Sequence, residues 1–384
     1  MDTVVQVLFS IIKNVIDETE SDNIDFYNLT EEQQKKLFEI ADKHSLAHLI
    51  AQGLGFEHAD LEIVRDFLQV LCTELQKYEI VQRELTEICD MFEKLNVPYI
   101  PLKGSRLCKY YPEAWMRSRG DLDILVHRSD IHRSVTELCT YHGYEFDKDN
   151  YHDMSLIAPS GLTFELHFNI QENNKRLDKV LSRVWDYSYQ NSGSCWQQSN
   201  EFFVFHQVAH MAYHFLGGGC GIRPFIDLYV LKNKFYYNES GVIELCKEAH
   251  IQTFYSYAKQ LVGVWFEGKE HTNITRKMEE YVITGGVYGS MENSINMSRN
   301  KNTDNKSSSY IISRLFMPYN NLIILYPSLK GHKYLLPYYE VKRWCSLLNK
   351  NKLKRIKKEL NINSKLTMSS IESVGDLLEN LDLK

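Results

Sequence analysis

No apolar run in the chain approaches the roughly 18 to 20 residues that cross a bilayer as a helix, so no membrane span is expected. Met1 to Lys13 carry apolar side chains only in short groups and lack the positive leader and cleavage site of a signal peptide. No C-x-x-C pair occurs among the eight cysteines, which are scattered at positions 72, 89, 108, 139, 195, 220, 246 and 345. A chain this long needs no disulfide staples, and the thiols are expected to be mostly reduced and buried in a cytoplasmic protein. An excess of positive charge is also missing. The net charge of -6 argues against a generally basic nucleic-acid binder while leaving room for a local patch.

What is there is an ordinary globular balance, 43% apolar and 24% charged, with 24 Tyr and 18 Phe to fill cores or line grooves. At 384 residues the chain exceeds the size at which one core usually keeps growing, so two or three domains are expected. Residues 1–95 read as a helical N-terminal domain. Thr30 with Gln33 forms a capping-box pattern, and apolar residues recur at threes and fours from Leu61 to Leu95. That spacing fits a helix pair with a bend near Glu79 better than a coiled coil. Residues 96–172 mix short strands with helices and read as a small α/β core. The expected strands are 96–102, 122–126, 144–146, 153–158 and 163–168, with helices over 105–111 and 131–141. Residues 173–290 return to helices, 291–309 read as a flexible linker rich in Asn, Ser and Lys, and 310–384 as a helical segment with a basic stretch from Lys342 to Lys358. The fold class is α+β, a small mixed sheet flanked by helical N-terminal and C-terminal domains.

The stretch from Pro98 to Val126 organises the rest. An apolar approach leads into Lys103-Gly104-Ser105, a helix-length insert follows, and Asp121-Leu122-Asp123-Ile124-Leu125-Val126 opens a strand. With period two, Asp121 and Asp123 share one face, with Cα atoms roughly 6.5 Å apart. Two carboxylates that close repel unless something positive lies between them, and a divalent metal is the usual answer. Gly104 lets a ligand approach the backbone, while the start of the next helix and the Ser105 hydroxyl offer donors to phosphate. A Gly-Ser turn alone is ordinarily just a turn; followed by an acidic pair at a strand start it gains specificity.

A third carboxylate comes from Phe164-Glu165-Leu166-His167-Phe168, where Glu165 and His167 face one side and the apolar residues the other. A charged residue in such a strand is costly unless paired or metal-bound. Asp121, Asp123 and Glu165 are therefore the candidate catalytic and metal-binding residues, Mg²⁺ or Mn²⁺ being the hard cations that suit them. Glu165 or Asp123 is the expected general base if one operates, and His167 either orients Glu165, touches substrate or is structural. Lys103, Arg117 and Arg119 are the cations near the site in sequence. At least one, Arg117 first, is expected to neutralise triphosphate charge, Lys103 alternatively pointing away and Arg119 being solvated. His206, His210 and His214 share a helical face at zinc-like spacing, although no Glu follows His206 and the neighbours are bulky and apolar. Arg223 and Asp227, four apart, either pair with each other or leave Arg223 to reach the cleft.

Gly-Ser, then Asp-x-Asp, then a later strand carboxylate resembles the DNA-polymerase-β-like nucleotidyltransferase superfamily. Leu102-Lys103-Gly104, Tyr111-Pro112, Arg117, Gly120 to Val126 and Glu165-Leu166-His167 resemble more closely its bacterial "uncharacterised nucleotidyltransferase" family. His44 to Leu54, His210, Arg223, Asp227 and the tail positions Tyr326-Pro327, Leu335 to Pro337 and Arg343 are similar to that family as well, over roughly residues 30 to 348. Fifteen residues separate Ser105 from Asp121, more than the commonest superfamily spacing. The resemblance implies that Gly104 and Ser105 hold the nucleotide's phosphates, with Lys103, Arg117 and Arg223 near them, and that Asp121, Asp123 and Glu165 bind two metals. It implies transfer of NMP from an NTP such as ATP, with release of pyrophosphate, to a small metabolite or antibiotic, a sugar phosphate, a tRNA end or a protein. A non-catalytic nucleotide- or RNA-binding module, of toxin–antitoxin type, is the alternative.

Overall fold

Period-two alternation decides the centre of the molecule. Leu122, Ile124 and Val126 are buried on one side of their strand, and Asp123 lies on the other. The computed structural model describes residues 2–19, 24–56, 58–118, 120–150, 152–287, 289–300, 307–347 and 350–384. Among these, β1 (Tyr99–Pro101), β2 (Leu122–Val126), β3 (Glu145–Asp149), β4 (Asp153–Ile157), β5 (Thr163–His167), β6 (Ser188–Ser192) and β7 (Cys195–Gln198) form one mixed sheet in the order β3-β4-β5-β2-β1-β7-β6. The fold is mixed, with many helices around that sheet. β2 runs parallel to β5 and antiparallel to β1. The hairpin of β6 and β7 was not among the expected strands, because its segments Ser-Tyr-Gln-Asn-Ser and Cys-Trp-Gln-Gln carry little apolar alternation.

One face of the sheet packs Leu122, Ile124, Phe164 and Leu166 against Val81, Ile88 and Phe92 of the long helix Glu62–Leu95 and against Ile131 and Leu138 of the helix Ile131–Tyr141. The long helix runs uninterrupted for 34 residues, where a bent pair was expected. It contains no Gly or Pro to break it, and ends on Asn96 in the left-handed region at φ 52.

A second core joins the N-terminal helices to those after residue 200. Phe9, on the helix Thr3–Asp17, stacks on Trp265 with ring centroids 4.2 Å apart, and the Tyr229 hydroxyl donates to Asp17. Residues 1–95 and 173–290 therefore share their interior instead of enclosing one each. The expected linker also differs. Met291–Asn300 is a helix that buries Ile295 and Met297, and Arg299 Nη1 donates to the Asn363 carbonyl at 3.3 Å. Ile295 and Met297, with buried Asn293 donating to the Tyr281 carbonyl, seat it against the polar average of the stretch. Residues 301–306 lie outside the described residues, and the helix Ser307–Leu315 follows. The basic stretch continues into the helix Lys350–Lys365. No helix among the described residues is long and apolar enough to cross a membrane.

His44 ties the two helical regions together. Its Nδ1 accepts from the Ile222 N–H at 3.2 Å, so its Nε2 carries the proton given to the Ile283 carbonyl at 3.0 Å. Burial lowers its pKa to about 4, the hydrogen bond to Ile283 only partly opposing this. A fold that demands a neutral imidazole is fully stabilised above the unfolded value near 6.5 and loses that contribution as pH falls from 6.5 to 4, about 3 kcal/mol in all. Urea unfolding at pH 7.5 and pH 5 is expected to show the loss in wild type and a smaller one in His44→Gln; equal pH sensitivity in the two proteins contradicts this role.

Candidate active site

Parallel pairing puts Asp123 beside Glu165, with Leu122 beside Phe164 and Ile124 beside Leu166. The apolar partners hold the strands from the core side, so the two carboxylates emerge next to each other on the opposite face. Asp121 lies two residues upstream on that same face. Lys103 follows β1 with φ 43, a left-handed conformation that costs on the order of 1–3 kcal/mol for a side chain of its size. The turn brings its Nζ to 3.5 Å from Asp123 Oδ1. His167 Nε2 is 3.0 Å from the same oxygen and 3.5 Å from Glu165 Oε2.

These contacts set the protonation states. Burial pushes the Asp123 carboxyl up, but the Lys103 ammonium and His167 outweigh it and hold the group well below the usual carboxylate range. His167 shows the counterpart. Burial opposes its charge, yet its bonds to Asp123 and Glu165 prevail and raise its pKa to about 9. Asp121 moves the other way, pushed up by partial burial and then by Glu165 and Asp123. Donor atoms of Asp123, Glu165 and His167 lie within 4.8 Å of one another, as do those of His152, Asp153 and His167. The first group offers hard carboxylate oxygens on the open face, with Asp121 adjoining, a set that fits Mg²⁺ or Mn²⁺.

The carboxylates line a cleft of about 270 Å³ together with Lys103, Gly104 and Arg117. Across from them stand His210 and His214 of the helix Asn200–Gly217 and Arg223 at the start of the helix Arg223–Lys234. Cys220 and Val287 close one corner, where two glycine-rich loops cross. A Cβ on Gly289 (φ 75) would fall 2.4 Å from the Gly218 carbonyl carbon, so neither loop can carry a side chain at the crossing.

Of the two alternatives for Arg223, the structure takes the cleft, and Ser105 lies apart from it. Asp227 pairs with Arg117, not with Arg223. Arg117 Nε and Nη2 donate to its two oxygens at 2.7 and 2.9 Å, Arg117 Nη1 donates to the Ser118 carbonyl, and the Tyr111 hydroxyl donates to Asp227 at 2.6 Å. Arg223 Nη1 instead donates to the Ser118 carbonyl and hydroxyl at 3.2 and 3.1 Å while lining the cleft. Ser105 is buried beside a separate cavity with Arg106 and Cys108, and its N–H already donates to the Leu102 carbonyl. Arg119 lies outside the described residues. The three histidines take separate partners. His206 Nδ1 meets Gln198, His210 Nδ1 is 2.7 Å from Glu172 Oε1, and His214 Nε2 is 3.1 Å from His210 Nε2. None of them belongs to a metal-ligating group among the described residues.

Glu172 went unread in the sequence. Its signal was an acidic residue five positions past β5, soon after the strand that carries Glu165, in a chain whose histidines recur at four-residue steps. The Arg117–Asp227 pair, 11% and 5% exposed, fastens the insert between Gly104 and Gly120 to the helix Arg223–Lys234. Asp227→Asn leaves a buried guanidinium without its counter-charge, and urea unfolding is expected to register a loss of about 3–5 kcal/mol. An unchanged midpoint would show that the pair carries no such weight.

Residues 30–267 match the family described as uncharacterised nucleotidyltransferase. The match takes in every cleft residue named above except Val287, and it ends before the tail positions at 326–343. No curated protein and no solved structure matches the chain. With its Asp-x-Asp strand, the neighbouring Glu165 and the cleft they share, the chain belongs to the uncharacterised nucleotidyltransferase family.

Proposed function

We propose that the cleft transfers an NMP unit from an NTP to an acceptor, releases pyrophosphate and depends on a divalent cation. The carrying observation is the register that sets Glu165 beside Asp123, with Asp121 two residues away on the same face. Asp121, Asp123 and Glu165 would hold the cation, which when bound neutralises phosphate charge and favours ionisation of the attacking hydroxyl. Lys103 and Arg223 are the cations best placed to draw the triphosphate into the cleft, and Gly104 admits it close to the backbone. Arg117 supports this from behind: its donors are committed to Asp227 and Ser118, so it shapes the wall with its charge compensated by Asp227. His167 keeps the two strand carboxylates together when no cation is present.

The test is incubation of the full chain with each α-³²P-labelled NTP, Mg²⁺ or Mn²⁺, and a fractionated cell extract. Labelling of an acceptor is expected, abolished by EDTA and reduced about 10²-fold or more in Asp123→Asn and in Glu165→Gln, with circular dichroism unchanged. Labelling that survives both substitutions would defeat this reading.

A further inference from the structure

Two histidines that line the cleft and a buried acid behind them are connected in series. Glu172 is 7% exposed. Its backbone N–H donates to Asp178 at 2.7 Å, and Asn173 after it adopts φ 51. This anchored turn presents Oε1 to His210 Nδ1 at 2.7 Å, and His210 Nε2 lies 3.1 Å from His214 Nε2. An ionised Glu172 accepts and cannot donate, so His210 carries its proton on Nδ1 and has a bare Nε2. Only an N–H can face that lone pair, so His214 carries its proton on Nε2. His214, which lines the cleft, is left with Nδ1 as its unprotonated nitrogen.

Resting on the transferase reading above, we infer that the His214–His210–Glu172 chain takes the proton of the acceptor, and that the acceptor is therefore an alcohol hydroxyl and not a phosphate. The acceptor oxygen bonds to the α-phosphorus as the bond from that phosphorus to the bridging oxygen breaks, and pyrophosphate leaves with the electron pair. The hydroxyl proton passes to His214 Nδ1, the Nε2 proton of His214 to His210 Nε2, and the Nδ1 proton of His210 to Glu172. An ionised phosphate acceptor brings no proton and needs no such chain. Asp123 is already engaged by Lys103 Nζ at 3.5 Å and His167 Nε2 at 3.0 Å.

The surroundings suit this direction of transfer. Lys103, Asp123, Arg117, Arg223, His206 and Glu172 are the charged or titratable groups around the two imidazoles. Burial first, then Lys103, keeps His210 neutral, with its pKa well below the ordinary value, so the ring passes a proton on and does not retain one. Burial raises the pKa of Glu172, which makes it the stronger resting place for the proton. His214 is the catalytic residue of the chain; His210 and Glu172 act through it as positioning residues.

The test joins kinetics to ¹⁵N-histidine spectra of the full-length protein. With α-³²P-labelled NTP, Mg²⁺ and the extract fraction as probe, His214→Gln is expected to lower kcat about 10²-fold and Glu172→Gln about 10-fold or more, with KM for the NTP within about twofold. Raising the pH to 9 is expected to restore the variants' rates steadily while wild type stays level, an effect that a merely structural role would not produce. The spectra are expected to show His210 protonated on Nδ1 and His214 on Nε2. If Asp123→Asn is inactive but His214→Gln and Glu172→Gln keep wild-type kcat, the proton chain is overturned and the transferase reading stands. A product linked through a phosphoanhydride overturns the alcohol acceptor, and His210 protonated on Nε2 overturns the wiring. No transfer by wild type defeats the transferase reading itself, and the proton chain with it.

Discussion

Repulsion among carboxylates is the constraint around which this molecule is built. Two unit charges about 4 Å apart cost on the order of 4 kcal/mol at the effective dielectric of a protein surface. The parallel pairing of β2 and β5 fixes Asp123 and Glu165 as neighbours whatever that costs. The compensation is visible. Lys103 is held in an unfavourable backbone conformation next to Asp123, and His167 bridges the two acids. This arrangement lets the two strands pair with no further positive charge between the acids.

The cleft is assembled from distant parts of the chain. The acids rise from the sheet, whose other face is sealed by the long helix, while the histidines and Arg223 belong to the helical layer that shares its interior with the N-terminus. Arg117 and Asp227 fasten these layers at the edge of the site, and His44 fastens them again farther off. The helical regions therefore support the position of the acids as well as covering them.

How much of this could be read in advance follows from where each signal resides. The bounds of β2, the helix over 131–141 and the facing of Glu165 depend on local alternation and periodicity, and these were legible, although Asp130 makes no side-chain cap to that helix. The pairing of Asp227 was not, because a four-residue spacing offers Arg223 as a partner while the fold delivers Arg117 from 110 positions away. Ser105 shows a related limit. Its position after Gly104 suggested a phosphate contact, but the single turn Gly104–Leu107 directs it to the separate cavity. The β6–β7 hairpin lacks an apolar rhythm, and the helix over 291–300 buries Asn293, Asn296 and Arg299 beside Ile295 and Met297. Both owe their structure to neighbours that sequence pattern does not reveal.

The crossing at Gly218 and Gly289 fixes the backbone next to Cys220 and Val287 of the cleft. A side chain elsewhere can change rotamer, but here main chain meets main chain, with the Ser290 N–H donating to the Gly218 carbonyl at 3.2 Å. Any residue other than glycine at position 289 would force the two loops apart, so the helices on either side keep their spacing through contacts that carry no side chain.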